Sequence, residues 1–275
     1  MKLAIASGKG GTGKTTVAVC IALSADRPVR LLDCDVEEPN CHLFLKPQIQ
    51  LRKPVTVPVP EVNTDRCSGC GQCRDICQFN AIAVLKRKAV IYPELCHSCG
   101  GCALVCPTDA IREIEREIGY VEVGSRDGVM LVTGTLHIGQ TLAPTVIRAV
   151  KQHAAPEGLT IIDCPPGTAC AMVAAVRDAD HVLLVTEPTP FGLHDLKLAV
   201  ATVRKLGLRF SVVLNRVDIG DDRVIEYCRQ EGIPVRLQIP DDRRIAEAYS
   251  RGEPPLNARP ELKVGFQQFL DELGT

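Results

Sequence analysis

The sequence carries almost no excess of either charge: 32 Lys and Arg stand against 33 Asp and Glu, a net charge of −1. That balance argues against a general affinity for nucleic acid or for acidic lipid headgroups. No apolar run approaches the roughly 20 residues that a membrane span needs. The first residues enter a strand-like run, Leu3 to Ala6, and then a glycine-rich loop, which is no signal peptide. A cytoplasmic location without stable membrane association is therefore expected. Hydrophobic residues make up 45% of the 275 positions, enough for a buried core. What the chain has in excess is cysteine: 14 residues, eight of them between Cys67 and Cys106. Disulfides belong mainly to secreted chains, so thiolate ligation of metal in a reducing compartment is the better reading.

Three textures follow one another. Residues 1–60 read as a strand (Lys2–Ala6), the glycine loop, a helix from Lys14 to about Asp26 and a strand (Val29–Asp33). A polar, proline-rich stretch then runs through Pro47, Pro54, Pro58 and Pro60. Residues 61–116 hold the clustered cysteines. From 117 to 275 a βα rhythm returns, with buried-strand runs at Val129–Val132, Leu159–Asp163, His181–Thr186 and Phe210–Asn215. Helical segments are expected near 139–153, 169–178, 192–206 and 221–231, and an amphipathic closing helix over Glu261–Leu273. The alternation predicts an α/β fold with a doubly wound, mainly parallel sheet, formed by 1–60 and 117–275 around an insert at 61–116.

Gly8-Lys9-Gly10-Gly11-Thr12-Gly13-Lys14-Thr15 matches the phosphate loop of P-loop NTPases, set between a strand and a helix as that motif requires. Its glycines let successive N–H groups turn toward phosphates, and the helix N-terminus adds its dipole. Lys14 is expected at the β- and γ-phosphates, Thr15 on Mg²⁺ and Thr16 at the α-phosphate. The alternative is a glycine-rich turn that holds no ligand.

The cysteine block is an internal repeat of 29 residues, with Cys67 matching Cys96 and Cys77 matching Cys106. Cys67, Cys70, Cys73 and Cys77 keep the spacing of the bacterial ferredoxin run, and so do Cys96, Cys99, Cys102 and Cys106, followed by Pro107. In two-cluster ferredoxins the fourth cysteine of each run ligates the other cluster. One 4Fe–4S cluster would use Cys67, Cys70, Cys73 and Cys106, and the other Cys77, Cys96, Cys99 and Cys102, in an α+β bacterial ferredoxin-like insert. Zinc is the competing metal for such thiolate sets. An insert this small is short of apolar core, so the clusters would serve as part of it. Lys86-Arg87-Lys88 reads as a solvated hairpin turn, with a docking patch as the alternative.

Lys9, together with Lys14-Thr15-Thr16, gives a deviant phosphate loop (deviant Walker A) that resembles the MinD/Mrp/ParA ATPases and the nitrogenase iron protein. The resemblance covers nearly the whole chain and extends to MinD-superfamily ATPases with an inserted two-cluster ferredoxin. It implies that Lys9 reaches the partner's nucleotide across an ATP-bound homodimer, or a heterodimer with a paralogue. It further implies that Asp33 holds a water of the Mg²⁺ shell and Asp35 orients the attacking water. Asp163 would lie near Mg²⁺ and Gly167 would sense the γ-phosphate. Asn215 stands where these ATPases read the base, and an amide can pair with adenine. Asn215-Arg216-Val217-Asp218 also partly resembles the guanine-reading motif of GTPases, but the phosphate loop favours ATP. Cys170 sits at the offset from Asp163 where the iron protein carries a cluster ligand; the alternative is a small buried residue. No cysteine lies at 130–145 to supply the second ligand per subunit.

These resemblances imply an ATPase that couples nucleotide hydrolysis to electron transfer from two 4Fe–4S clusters, in the maturation or reduction of a partner protein's metal cofactor. The alternatives are an iron–sulfur scaffold or carrier of the Mrp type and, less well supported, a MinD-like positioning ATPase. Carriers of that type use a Cys-x-x-Cys pair near the C-terminus, and beyond Cys170 only Cys228 remains. MinD grips lipid with a basic terminal helix, whereas the last stretch here has Glu261, Asp271 and Glu272 against Lys263.

Overall fold

A computed structural model describes residues 1–274. The chain forms two compact units, one of Met1–Lys53, Val121–Thr135 and the chain from Pro144 on, the other of Pro54–Tyr120 and Leu136–Ala143.

In the first unit, β1 (Lys2–Ala6) leads through the phosphate loop into α1 (Lys14–Ser24), and β2 (Val29–Asp33) is followed by the short helix α2 (Cys41–Leu45). Leu3, Ala4, Ile5 and Ala6 are wholly buried, as a strand covered on both faces must be. Two long strands come next, β3 (Gln48–Val62) and, after the elements of the second unit, β6 (Ile111–Arg126). Between them lie α3 (Gln72–Ile76), β4 (Ile82–Leu85), β5 (Lys88–Ile91) and α4 (Gly101–Leu104). The chain then runs through β7 (Val129–Leu136), α5 (Ala143–Lys151), β8 (Leu159–Asp163), α6 (Cys170–Val176), β9 (His181–Thr186) and α7 (Pro190–Lys205). It closes with β10 (Phe210–Asn215), α8 (Arg223–Gln230), β11 (Val235–Ile239), α9 (Arg243–Ser250), α10 (Pro255–Ala258) and α11 (Leu262–Glu272).

The sheet order is β11-β10-β9-β1-β8-β2-β7-β6-β3. All the pairings from β11 across to β7 are parallel. Register sets the site: Asp33 on β2 stands opposite Asp163 on β8, and Ile5 on β1 opposite the same Asp163. The ends of β1, β2 and β8 thereby bring the phosphate loop and both aspartates to one end of the sheet, where ligands of open α/β folds bind.

The edge of the sheet differs from the sequence reading. Asp127 (φ 50) and Gly128 (φ 79) form a two-residue turn joining β6 to β7, a geometry that returns the chain antiparallel. The stretch expected as polar and proline-rich connection is instead β3. Pro54, Pro58 and Pro60 are tolerated there because β3 is the sheet's edge strand, whose N–H groups need no partner on one side. Strand β11 and helix α9 likewise add to the elements expected from the sequence.

The second unit follows the 29-residue repeat. Gly71 (φ 87) opens α3 and Gly100 (φ 73) opens α4, and each helix buries one cysteine, Cys73 and Cys102. Strands β4 and β5 pair antiparallel, with Lys86 (φ 48) and Arg87 (φ 61) as the turn. The core comprises Cys73, Ala81, Ile82, Ala89, Cys102 and Ile111, with Cys67, Cys77, Cys96 and Cys106 packed against it. Thiols here stand where a larger domain would place aliphatic side chains. Lys88 is no free turn lysine: its Nζ donates to the carbonyls of Thr64 and Cys67, tying the hairpin to the first cysteine loop.

Candidate functional site

The phosphate loop owes its shape to three glycines with different tasks. Gly11 (φ 79) and Gly13 (φ 93) are left-handed, which turns the loop inward before α1. Gly8 has an ordinary backbone, but a Cβ there would sit 2.1 Å from the Asp195 carbonyl oxygen on α7. That obstacle is backbone, so no rotamer change relieves it. Gly8→Ala is expected to destabilise the protein by about 1–3 kcal/mol and to weaken nucleotide binding, as read by denaturant melts with and without nucleotide; an unchanged melt would contradict the close approach.

Lys14 is 6% exposed and Thr12 2% exposed, with the Thr12 hydroxyl oxygen lacking any hydrogen-bond partner. The cavity beside the loop has a volume of ≈ 480 Å³, and its lining includes Gly13, Lys14, Thr15 and Thr16 together with Pro240, Asp241 and Tyr249. Gly10, Gly11, Asp35 and Asn215 also line it. Asn215 meets the loop directly, its Nδ2 donating to the Thr12 carbonyl at 2.9 Å. One amide N–H and the amide oxygen remain for a base.

Asp33 and Asp163 are completely buried. Asp33 Oδ2 accepts from the N–H groups of Asn40 and Cys41, both at 3.0 Å, and so fixes the segment that follows β2. Thr15 hydrogen-bonds the Asp163 carboxylate, and the Cys41 thiol donates to Asp163 Oδ2 at 3.5 Å. Asp163 Oδ1 is buried with no partner. Burial raises the pKa of both aspartates, and the charge of Asp163 adds to the effect on Asp33. Buried carboxylates beside an orphaned oxygen and a threonine hydroxyl suit a hard cation, because Mg²⁺ takes oxygen ligands and usually keeps water. The donor set therefore fits Mg²⁺ held by Thr15, Asp33 and Asp163.

Asp35 is pushed up to about 6, first by burial and then by the Asp163 charge, against the pull of Lys14. A carboxyl raised in the folded state binds its proton more tightly there than in the unfolded chain. Its favourable contribution is full below about pH 4 and is lost as pH rises through about 6. Asp35→Asn is thus expected to gain on the order of 1 kcal/mol over wild type at pH 7.5, after allowance for solvent screening. The gain should vanish near pH 4, as measured by urea unfolding without metal or nucleotide. A difference independent of pH would contradict it.

Lys9 is engaged within its own chain. Its Nζ lies 3.6 Å from Glu187 Oε2, while Arg216 Nη1 lies 3.0 Å from Oε1 of the same buried glutamate. The Gly167 N–H donates to the Ser7 carbonyl at 3.1 Å, joining the segment after β8 to the start of the phosphate loop. Glu187 and Asn40 escape sequence reasoning, and Cys41 reads there only as a structural cysteine, because each is a single ordinary residue whose role comes from strand register and loop return.

The thiols fall into two groups. Cys67, Cys70, Cys73 and Cys106 line one cavity, with Gly69, Gly71 and Ile111. Cys96 feels the charges of Cys99 and Cys77, and Cys102 those of Cys96 and Cys99. The first group therefore takes three thiols from one run and the fourth, Cys106, from the other. All eight are free thiols. Burial raises Cys73, Cys96 and Cys102, the last to about 11. At Cys106 burial is outweighed by hydrogen bonds from the Thr108 and Ala110 N–H groups, and its pKa is lowered. The Ala110 N–H reaches its Sγ at 3.2 Å. Four soft donors around one enclosed space fit an iron–sulfur cluster, for which thiolates are the usual ligands.

Cys170 is exposed at the start of α6. It borders a groove of ≈ 690 Å³ with Arg148, Lys151 and Arg177. Lys151 is committed to the end of α6, donating to the carbonyls of Ala174 and Ala175 at 2.9 Å. Cys20, Cys34, Cys41, Cys164 and Cys228 are all buried. No helix among the described residues is long and apolar enough to cross a membrane.

Comparison with known proteins matches residues 3–256 to the family model for the CobQ/CobB/MinD/ParA nucleotide binding domain. An uncharacterized protein of Methanocaldococcus jannaschii is 39% identical over 221 residues, covering 78% of each chain. A second uncharacterized protein of that organism is 30% identical over 258 residues, covering 92% of this chain and 90% of the other. The septum site-determining protein MinD of Pyrococcus horikoshii, solved with Mg-ADP, shares the fold at a TM-score of 0.56 and 23% identity, over 98% of this chain and 92% of that one.

Proposed function

The chain belongs to the CobQ/CobB/MinD/ParA nucleotide-binding family, and from that premise we propose that it is an ATP-driven switch whose cysteine unit donates electrons to a partner's metal cofactor. The observation that carries the proposal is the pairing, in one chain, of a phosphate loop and aspartate site with eight free thiols, four of which, drawn from both runs, line one cavity.

Lys14 and the loop N–H groups would bind and neutralise the phosphates, which is most of what phosphoryl transfer asks of a protein. Thr15, Asp33 and Asp163 would hold Mg²⁺, and Asp35 would position the attacking water. Asn215 would contact the base while steadying the loop. Lys9 would leave Glu187 to reach nucleotide across a dimer interface. Cys67, Cys70, Cys73 and Cys106 would hold one 4Fe–4S cluster, and Cys77, Cys96, Cys99 and Cys102 another. When bound, such clusters supply one-electron oxidation and reduction. Coupling has a covalent route: the segment fixed by Asp33 continues through α2 into β3, which leads to the cysteine unit. A γ-phosphate that reorders this segment thus acts on the chain entering that unit.

A positioning role like that of MinD fits poorly with α11. Phe266, Phe269 and Leu270 are 2–3% exposed in the core, so its apolar face is not free for lipid. A carrier role that uses a C-terminal thiol pair lacks its residues, since Cys228 is buried.

The test is anaerobic. The reduced protein is mixed with a candidate acceptor protein, and cluster oxidation is followed by electron paramagnetic resonance with and without Mg²⁺ and ATP. Faster oxidation with ATP, lost in Lys14→Ala, is expected. Transfer indifferent to both would reject the coupling.

A further inference from the structure

Cys41 has no part in the scheme above, yet it lies at the cation site. It opens α2, is wholly buried, and directs its thiol at the Asp163 carboxylate. Its Sγ, one carboxylate oxygen of Asp33 and one of Asp163 all lie within 4.8 Å of one another. Ligand atoms of one first-row ion, with bonds of about 2.0–2.3 Å to oxygen and sulfur, stand roughly 3–4.5 Å apart, so the three atoms need only close in slightly around an ion. The Cys41 N–H is also bonded to Asp33 Oδ2, so the backbone that carries the thiol is tied to the same carboxylate. A second observation is independent of the cluster itself. Asp163 Oδ1 has no hydrogen-bond partner although the residue is 0% exposed. A buried carboxylate oxygen left without a partner is what a coordinated ion satisfies.

We propose that Cys41 makes this a mixed thiolate–carboxylate site that binds a borderline transition-metal ion of the Zn²⁺ or Fe²⁺ type more tightly than Mg²⁺. The proposal rests on reading the cleft as a nucleotide and cation site. Mg²⁺ is hard, demands near-octahedral oxygen ligation and gains little from sulfur. Borderline ions accept mixed oxygen and sulfur donors, and thiolates select for them. On coordination the thiol releases its proton to water and the sulfur lone pair enters the bond; no electron changes hands. Thr15 or a nucleotide oxygen would complete the shell. The consequence is an ATPase whose nucleotide state responds to transition-metal supply.

The test uses the holoprotein with ADP and Co²⁺ as the probe ion, in wild type, Cys41→Ser and Cys41→Ala. Equilibrium dialysis measures the affinities for Co²⁺ and Mg²⁺. Difference spectra between wild type and each variant cancel the absorption of the cysteine unit and report thiolate-to-cobalt charge transfer. Wild type is expected to bind one extra Co²⁺ per chain with the charge-transfer band. Both variants should lose the band and at least about tenfold in the ratio of Co²⁺ to Mg²⁺ affinity. Equal Co²⁺ affinity and spectra in all three proteins, with Mg²⁺ and ADP binding intact, would overturn the Cys41 assignment alone. Failure of wild type itself to bind ADP with either ion would instead overturn the nucleotide-site reading. Two variants, one keeping a hydrogen-bond donor toward Asp163, guard against loss of fold in either.

Discussion

Replacing Lys14 with alanine is expected to lower ATP hydrolysis by on the order of 10²–10³-fold while leaving the iron content of the protein unchanged. Lys14 is almost wholly buried, and its charge also pulls down the carboxyl pKa values of Asp35 and Asp163. Its removal takes away both a phosphate ligand and the counter-charge that lets two crowded carboxylates ionise. The low-dielectric setting makes that charge worth more than it would be on the surface. Turnover measured with Mg²⁺ and ATP, beside iron analysis of the same sample, decides the matter. Hydrolysis within about threefold of wild type would mean that phosphoryl transfer occurs elsewhere. Loss of iron along with activity would mean a folding defect and no test of the site. The arginine variant then serves, since it keeps the positive charge but presents a planar fork where a point charge is needed.

The crossed thiol sets lead to an equally large effect. Cys106→Ser is expected to lower iron from about eight to about four atoms per chain. The double variant Cys67→Ser/Cys106→Ser should lose no more than the single, because both residues line one cavity. If each run bound its own cluster, the double variant would lose both and retain almost no iron. The same logic applied to Cys77 and Cys96 predicts that this pair also counts once. Residues of one unit show such non-additivity, whereas independent ones add. Zinc in place of iron in the wild-type protein would reject the cluster reading outright. Because six of the cysteines belong to or abut the core of their unit, the variants should also melt earlier; far-ultraviolet circular dichroism checks that the remainder is folded.

Much of the fold was legible because its signals are local. Strands Lys2–Ala6, Val29–Asp33, Leu159–Asp163, His181–Thr186 and Phe210–Asn215 appear at the bounds expected from apolar runs alone, as buried parallel strands allow. Strands β3 and β6 were not legible. Their exposed halves lack the unbroken apolar run of a central strand, and three prolines in β3 suggest a linker unless its edge position is known. The phosphate loop and the cysteine spacing were readable because both are contiguous motifs. The bond from Asn215 to Thr12, the Lys9–Glu187 pair and the approach of Cys41 to Asp163 join residues distant in sequence. Only the register of β1, β2, β8, β9 and β10 brings them together. The crossing of the thiols lies between these cases. It was expected from the motif, and the gathering of Cys106 with Cys67, Cys70 and Cys73 in one cavity supports it.

The most direct measurement of coupling needs no partner protein. The reduction potentials of the purified protein can be titrated by electron paramagnetic resonance in three states: nucleotide-free, with Mg²⁺ and ADP, and with Mg²⁺ and a non-hydrolysable ATP analogue. If nucleotide acts on the cysteine unit, at least one potential should move by about 60 mV or more between the empty and ATP-like states, the one-electron equivalent of a tenfold change. Lys14→Ala should show no such shift. Potentials that coincide in all three states, with nucleotide binding verified in the same samples, would contradict a nucleotide-gated electron donor.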